Sequence, residues 1–215
     1  MHLTLAQAFD TVPDLDGPPI LERMFLVEPV GGMLIVAIAA ALASTTLRRA
    51  DKETVANIVI GVGLAAAIGV LGIGRVVTTQ HEALIDASRA FADAVASSDQ
   101  RALEAVLDEN LVIASAGQNV DNAGKQWVMS AAAFASPLIE SYRVRNRGTE
   151  RTATNAGRAR VAVNVQTNQG PGPTTWDLYW QQDANNAWRL VRADALLVLG
   201  RTPDSPWWVR NVNRR

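Results

Sequence analysis

The chain has no cysteine and only two histidines, His2 and His81, widely separated among its 215 residues. Without thiolates there is no disulfide, no iron–sulfur cluster, no cysteine nucleophile and no thiolate zinc site. Two distant imidazoles are a poor basis for any other metal centre. An excess of charge is missing too. The formal net charge is -1, which removes the electrostatic case for a nucleic-acid partner. A phosphate loop is absent: the glycines of Gly117–Lys125 are spaced too widely, and Gln126 stands where a magnesium-binding hydroxyl belongs. The serines have neither a nucleophile elbow nor a histidine partner. The expectation is a protein without metal, cofactor or nucleic acid.

Charge is also missing from two long stretches, and here the absence is informative. Pro29–Leu47 is an uncharged run of 19 residues and Thr54–Gly74 one of 21. A helix rises about 1.5 Å per residue, so about 20 residues cross a hydrocarbon core of roughly 30 Å. The sequence therefore predicts an N-terminal transmembrane α-hairpin over residues 25–77, in contact with membrane lipid, after an N-terminal segment, 1–24, that is partly loop around Pro13–Pro19. Leu3, Leu5, Ala6 and Phe9 suit a short piece lying on a membrane surface. Residues 1–28 carry Asp10, Asp14, Asp16, Glu22 and Glu28 against Arg23 alone, and a second apolar run follows the first, which does not describe a cleaved signal peptide.

The connection Arg48–Glu53 is short, so the helices should be antiparallel neighbours. Its three basic residues exceed the single arginine of the N-terminal flank. The positive-inside rule then puts residues 48–53 in the cytoplasm, with the N-terminus and the C-terminal region outside it, as in a two-pass protein of a bacterial inner membrane. Gly61, Ala65 and Gly69 share one face of the second helix, Gly63 and Ala67 form a neighbouring row, and Ala37, Ala41 and Ser44 offer small surface on the first. Such residues let helix backbones approach closely in lipid. They fit packing within the hairpin and docking against another membrane subunit alike. No ionisable residue lies inside either run, which argues against a proton or ion pathway.

Beyond Arg75 the patterning becomes that of a water-soluble α+β domain, residues 78–199. Leu84, Ala87, Ser88, Phe91, Ala92, Val95 and Ala96 follow helical spacing. Ser97-Ser-Asp99 interrupts that helix and caps a short one, Gln100–Leu107. Leu111–Ala116 reads as a strand and Asn119–Phe134 as a helix with Trp127, Val128 and Ala131 inward, ended by Pro137. The period then becomes two. Tyr142 and Val144, then Ala159, Val161, Val163 and Val165, then Trp176, Leu178 and Trp180 alternate with polar residues, and Trp188–Val198 forms a last strand. Gly- and Asn-rich turns separate these runs. Helices followed by antiparallel strands favour a curved sheet wrapped on helices.

Two stretches give this order a family likeness. Ala87–Val112 has a helix ending at a small polar turn, then a short amphipathic helix leading into a strand. Ala187-Trp-Arg-Leu-Val-Arg-Ala-Asp194 has a Trp-Arg-hydrophobic-Val core. Over about residues 79–198 the chain resembles the NTF2-like (SnoaL-like, ketosteroid-isomerase-like) superfamily. The resemblance implies a cone-shaped fold with a pocket between sheet and helices, where family enzymes place an Asp or His base and a Tyr or acid donor. Many members continue the closing strand with His-Asp-His-like residues; this chain has Arg192, Ala193 and Asp194, which weakens the case for base catalysis. Asp194 and Asp177 remain the candidate bases, with Tyr142 and Tyr179 as donors.

Two further features stand outside that pattern. Arg143, Arg145, Arg147, Arg151, Arg158 and Arg160 alternate along two successive strands. They read either as a solvated outer face that discourages edge pairing or as a surface for an acidic partner or anionic headgroups. The tail, 200–215, carries Trp207, Trp208 and Arg210, residue types that favour membrane interfaces and protein contacts. The combined expectation is a membrane-anchored, non-enzymatic accessory or scaffold subunit that binds a protein partner or a second copy of itself. The alternative is an enzyme or binder for a small apolar, lipid-derived molecule in the cone pocket.

Overall fold

The computed structural model describes residues 12–15, 29–50, 52–76, 79–168 and 170–203. They fall into two units, Pro18–Glu82 on one hand and Met1–Gly17 with Ala83–Arg215 on the other. The tail residues Trp207, Trp208 and Arg210, and the N-terminal Leu3, Leu5, Ala6 and Phe9, lie outside the described residues.

The first unit is a helical hairpin. Helix α1 spans Pro29–Arg49 and α2 spans Glu53–Val76. Arg48 and Arg49 in the last turn of α1 and Glu53 in the first turn of α2 complement the helix dipoles. Only residues 50–52 connect them, tighter than the sequence suggested. The turn is closed by the amides of Ala50 and Lys52, which both donate to the Leu47 carbonyl, and Arg48 donates to Asn57 Oδ1 at 3.1 Å. The helices meet through the Gly63 and Ala67 row: a Cβ at Gly63 would overlap that of Ala40, and Ala56 and Ala67 are buried. Gly61 and Gly69 have open space where a Cβ would be, so the Gly61, Ala65, Gly69 row faces away from α1. Leu34, Ile38, Leu42, Ile58, Val62 and Ile68 are exposed. Among the described residues no helix is long and apolar enough to cross a membrane.

The second unit is α+β. Helix α3, Gln80–Ser97, opens with a reciprocal box in which Thr79 N–H donates to the Glu82 carboxylate at 2.8 Å and Glu82 N–H donates to Thr79 Oγ1 at 3.2 Å. Ser98 takes a positive φ of 53°, and Asp99 caps α4, Gln100–Val106, by accepting from the Ala102 amide at 3.0 Å. Strands β1, Leu107–Ser115, and β2, Gln118–Asn119, form a short hairpin. Helix α5, Lys125–Ala135, follows, then a 3-10 turn, Ser136–Leu138, containing Pro137. Four long strands complete the chain: β3, Ile139–Ala153; β4, Ala156–Thr167; β5, Gly170–Gln182; and β6, Trp188–Val198.

The sheet order is β2-β1-β6-β5-β4-β3. Neighbours among β3 to β6 are antiparallel, as expected from the hairpin turns, but β1 runs parallel to β6, so the sheet is mixed. Period-two patterning carries no strand direction; β1 takes the free edge of β6 because α4 delivers it there. The helix expected from Asn119 starts only at Lys125. Asn119 instead pairs with Ala114 in the β1–β2 hairpin, and Asn122, at φ 58°, turns the chain before the Gly124 cap. Leu84, Leu103, Leu107, Ile113, Leu178, Trp180 and Leu190 fill the core between helices and sheet. Trp180 meets Phe91 edge-on at 6.4 Å. Its indole N–H donates to Ser88 Oγ at 3.2 Å, and the Ser88 hydroxyl donates in turn to the Leu84 carbonyl at 2.7 Å, which satisfies a polar pair that burial would otherwise penalise.

Candidate functional site: an apolar cavity in the cone

The core does not fill the space between α3, α5 and the inner sheet face. Alternation sends Val161, Val163 and Val165 of β4 and Trp176 and Leu178 of β5 to that face, while α5 answers with small side chains at Ala131, Ala132 and Ala135. A cavity of about 370 Å³ remains. Phe91 and Val95 of α3 and Trp127 of α5 close it. The polar groups among its lining residues are neutral: the hydroxyls of Ser88, Thr167, Thr174 and Tyr142 and the indole N–H groups of Trp127 and Trp176. Among the described residues no carboxylate, histidine, lysine or arginine lines it. Among the described residues no cluster of metal-ligating side chains occurs either.

Among the described residues, Tyr142 is the one sequence-derived site candidate at the cavity. Its hydroxyl donates to Asp93 Oδ1 at 2.8 Å, linking β3 to α3. The hydrogen bond to Asp93 raises the phenol pKa above its ordinary value, with smaller contributions from burial and from the Asp93 charge. A tyrosine held in its neutral form by a carboxylate donates a hydrogen bond; it is not poised as a base. Asp93 was not singled out by sequence, because a carboxylate on a helix carries no mark of the tyrosine that reaches it from 49 residues away.

The other candidates lie on the opposite, outer face. Asp177 of β5 is buried and held by Arg160 of β4 through Nε to Oδ1 and NH2 to Oδ2, both 2.7 Å, with Arg158 NH1 at 3.5 Å. Asp194 of β6 is its cross-strand partner. It accepts the Gly117 amide at 3.0 Å and has Arg192 NH2 at 3.5 Å. Tyr179 has guanidinium carbons of Arg158 and Arg192 at 5.9 and 6.0 Å from its ring centroid. Asp177, Asp194 and Tyr179 are therefore near one another, but in an ion-pair layer away from the cavity. None of them lines it. The arginine rows divide in the same way. Arg158 pairs with Glu150 at 2.5 Å, Arg160 with Asp177, and Arg147 with Asp14 at 2.5 Å, whereas Arg143 and Arg145 are exposed.

A second hollow of about 280 Å³ lies in the helical hairpin, lined by Ala37, Ala40, Ala41, Ser44, Ile60 and Leu64 among others. It follows from the small residues of α1 that the sequence marked.

Helices laid on one face of a curved mixed sheet, with an apolar hollow between the layers, define an α+β cone domain. The chain is similar in fold to several solved structures. A ketosteroid isomerase-like protein from Erwinia carotovora atroseptica matches 55% of this chain and 96% of its own, at 13% identity and TM-score 0.45. An NTF-2 like protein of unknown function from Shewanella oneidensis MR-1 matches 53% and 96%, at 11% identity and TM-score 0.45. The CaMKII hub of S. rosetta matches 56% and 98%, at 19% identity and TM-score 0.41. No protein-family model and no curated protein matches the chain.

Proposed function

We propose that this chain is a membrane-anchored, non-catalytic binding protein whose cone cavity holds a small apolar molecule, lipid-derived in class. The observation that carries this reading is the cavity: its volume falls in the range of small-molecule sites, its walls are aromatic and aliphatic, and its polar groups are neutral. Such a lining rewards burial of apolar surface at roughly 25 cal/mol per Å² and supplies no general base. The candidate carboxylates are committed to arginines elsewhere.

The test uses the full chain in lipid nanodiscs with the uncharged fluorophore N-phenyl-1-naphthylamine, read by energy transfer from the cavity tryptophans. Transfer is expected in the parent and is expected to fall in Ala131→Phe, which fills the cavity without adding a donor. Equal transfer in both overturns the reading. Native-like tryptophan fluorescence and thermal unfolding of Ala131→Phe establish that the variant is folded.

Anchoring is supported by the two uncharged runs, by the outward Leu34, Ile38, Ile58, Val62 and Ile68, and by the basic connection. The cysteine-free background offers a direct check. Asn185→Cys is expected to react with an impermeant maleimide on intact spheroplasts and Lys52→Cys only after permeabilisation. The reverse pattern sinks the orientation, and recovery of the protein in the soluble fraction sinks the anchor.

A second reading, an accessory or scaffold subunit, is favoured by the outward Gly61, Ala65, Gly69 row and the hollow beside Ala37 and Ala41, which suit close approach of another helix. Exposed Arg143 and Arg145 and the Trp207, Trp208, Arg210 tail would add contacts to a protein partner or a second copy. Migration as a lone monomer after mild extraction, unchanged by deletion of the tail, removes this reading.

A further inference from the structure

We infer that the bulge of β3 is a built docking site for an extended acidic segment, filled in cis by the chain's own Pro13-Asp14-Leu15. The strand pairing of β3 with β4 slips between Asn146 and Thr149. At the slip the Arg147 carbonyl turns outward and accepts the Leu15 amide at 2.9 Å. The Arg147 side chain, 9% exposed, holds Asp14 through Nε to Oδ1 at 2.5 Å. From the neighbouring strand, Arg160 donates through NH1 to the Pro13 carbonyl at 2.5 Å while its other nitrogens grip Asp177. Thus three consecutive residues of the segment are each engaged, one by backbone, one by ion pair and one by a guanidinium that the sheet has already fixed.

Gly148 makes the approach possible. Its φ is +119°, and a Cβ there would stand 2.6 Å from the Leu15 carbonyl oxygen and 2.8 Å from Leu15 Cβ. A side chain at this position and the docked segment exclude one another, so the glycine serves the contact as well as the turn. Edge strands are ordinarily covered or charged to prevent stray pairing; here the cover is peptide-specific, because it reads an acid and a following amide. The wider charge pattern matches: the N-terminal 28 residues are acidic, and exposed Arg143 and Arg145 extend the basic row beyond Arg147 on the same strand. The site therefore acts as a clip that holds the N-terminal segment on the domain.

The test uses the full chain and a synthetic capped peptide with the sequence of residues 10–18. Hydrogen exchange at the Leu15 amide is expected to be at least tenfold faster in Asp14→Arg, and in Gly148→Ala, than in the parent. The double variant Asp14→Arg, Arg147→Asp is expected to restore protection. The peptide is expected to bind Asp14→Arg at least tenfold more tightly than the parent, whose site is filled. Equal exchange in parent and Asp14→Arg, or equal peptide binding to both, overturns the proposal. If Gly148→Ala fails to fold, Asp14→Arg decides alone, since Asp14 is 58% exposed and belongs to no core.

Discussion

Arg160 and Asp177 face each other across β4 and β5 and share two parallel hydrogen bonds, each 2.7 Å long. Both side chains are buried, at 10% and 4% exposure. Fork-to-fork geometry of this kind is the strongest arrangement open to an arginine and a carboxylate. Its position on the outer face explains why a strand aspartate amid apolar neighbours is structural here: it pairs with Arg160, while Arg158, 3.5 Å away, has Glu150 as its closer partner.

Removing one partner strands the other. Asp177→Ala is expected to lower stability by about 3–5 kcal/mol, the range for breaking a buried pair. Surviving folded Asp177→Ala protein is expected to bind N-phenyl-1-naphthylamine as the parent does, because Asp177 does not line the cavity. Chemical unfolding followed by tryptophan fluorescence reads the first effect and energy transfer the second. Loss of binding with unchanged stability would reassign Asp177 to the ligand site.

Tyr142 offers a titration with only one other tyrosine in the chain, Tyr179. The hydrogen bond to Asp93 raises its pKa, so the protonated phenol is favoured in the folded state. The stability this contributes is present in full below the ordinary tyrosine pKa and is lost as pH rises through the higher folded value. In a Tyr179→Phe background, tyrosinate absorbance is expected to develop at higher pH than in the unfolded chain. Asp93→Asn is expected to bring that midpoint down. A midpoint indifferent to Asp93→Asn would mean the contact does not govern Tyr142.

Asp183 works in the opposite direction at the β5–β6 turn. It accepts the Ala187 and Asn185 amides, at 3.0 and 2.8 Å, and Arg189 Nε at 3.0 Å. These bonds, the Ala187 amide first, lower its pKa. A depressed carboxylate contributes stability above its unfolded pKa and loses it as pH falls through the folded value. The acid limb of the stability curve is therefore expected to shrink in Asp183→Asn, most visibly in amide exchange of Asn185 and Ala187. Identical acid limbs would exclude the turn as a contributor.

The sequence exposed the layers of the fold well because its periods are regular. Helical spacing at Leu84, Ser88, Phe91 and Val95 marked α3, and alternation at Val161, Val163 and Val165 marked both a strand and the wall of a cavity. Local capping chemistry was legible too: Asp99 caps α4 as Ser97-Ser-Asp99 suggested. Long-range relations were not. Nothing local distinguishes Asp177, locked to an arginine 17 residues away, from a catalytic aspartate, and nothing near Asp14 announces its bond to Arg147, 133 residues on. Family likeness led toward carboxylates in the pocket because the superfamily uses them there. The actual lining is decided by which parity of β5 and β6 faces inward, and Asp177 and Asp194 have the outward one. In the hairpin the small residues were visible, but their helical phase relative to α1 was not, so the row at Gly61 and the row at Gly63 were equally eligible for the contact.

That phase gives a clean contrast between glycines of a single helix. Alanine is favoured over glycine in a helix interior by roughly 1 kcal/mol, so a glycine-to-alanine change stabilises α2 wherever the new methyl has room. At Gly61 and Gly69 nothing lies within 4 Å of the added Cβ, and both changes are expected to leave the hairpin intact or to firm it. At Gly63 the methyl would overlap the Cβ of Ala40, so the helices must separate, and Gly63→Ala is expected to loosen the hairpin. Cysteine pairs make this measurable in a chain with none of its own: Ser44→Cys with Ile60→Cys, which line one hollow between the helices, reports the approach of α1 and α2 by the rate of crosslinking with a short bifunctional maleimide. Crosslinking is expected to slow in Gly63→Ala and to hold in Gly61→Ala and Gly69→Ala. Should an additional helix dock on the outward row, Gly61→Ala and Gly69→Ala would instead weaken co-purification of that partner while leaving the intramolecular crosslink unchanged. Slowed crosslinking in Gly61→Ala, with Gly63→Ala unaffected, would place the hairpin contact on the other row.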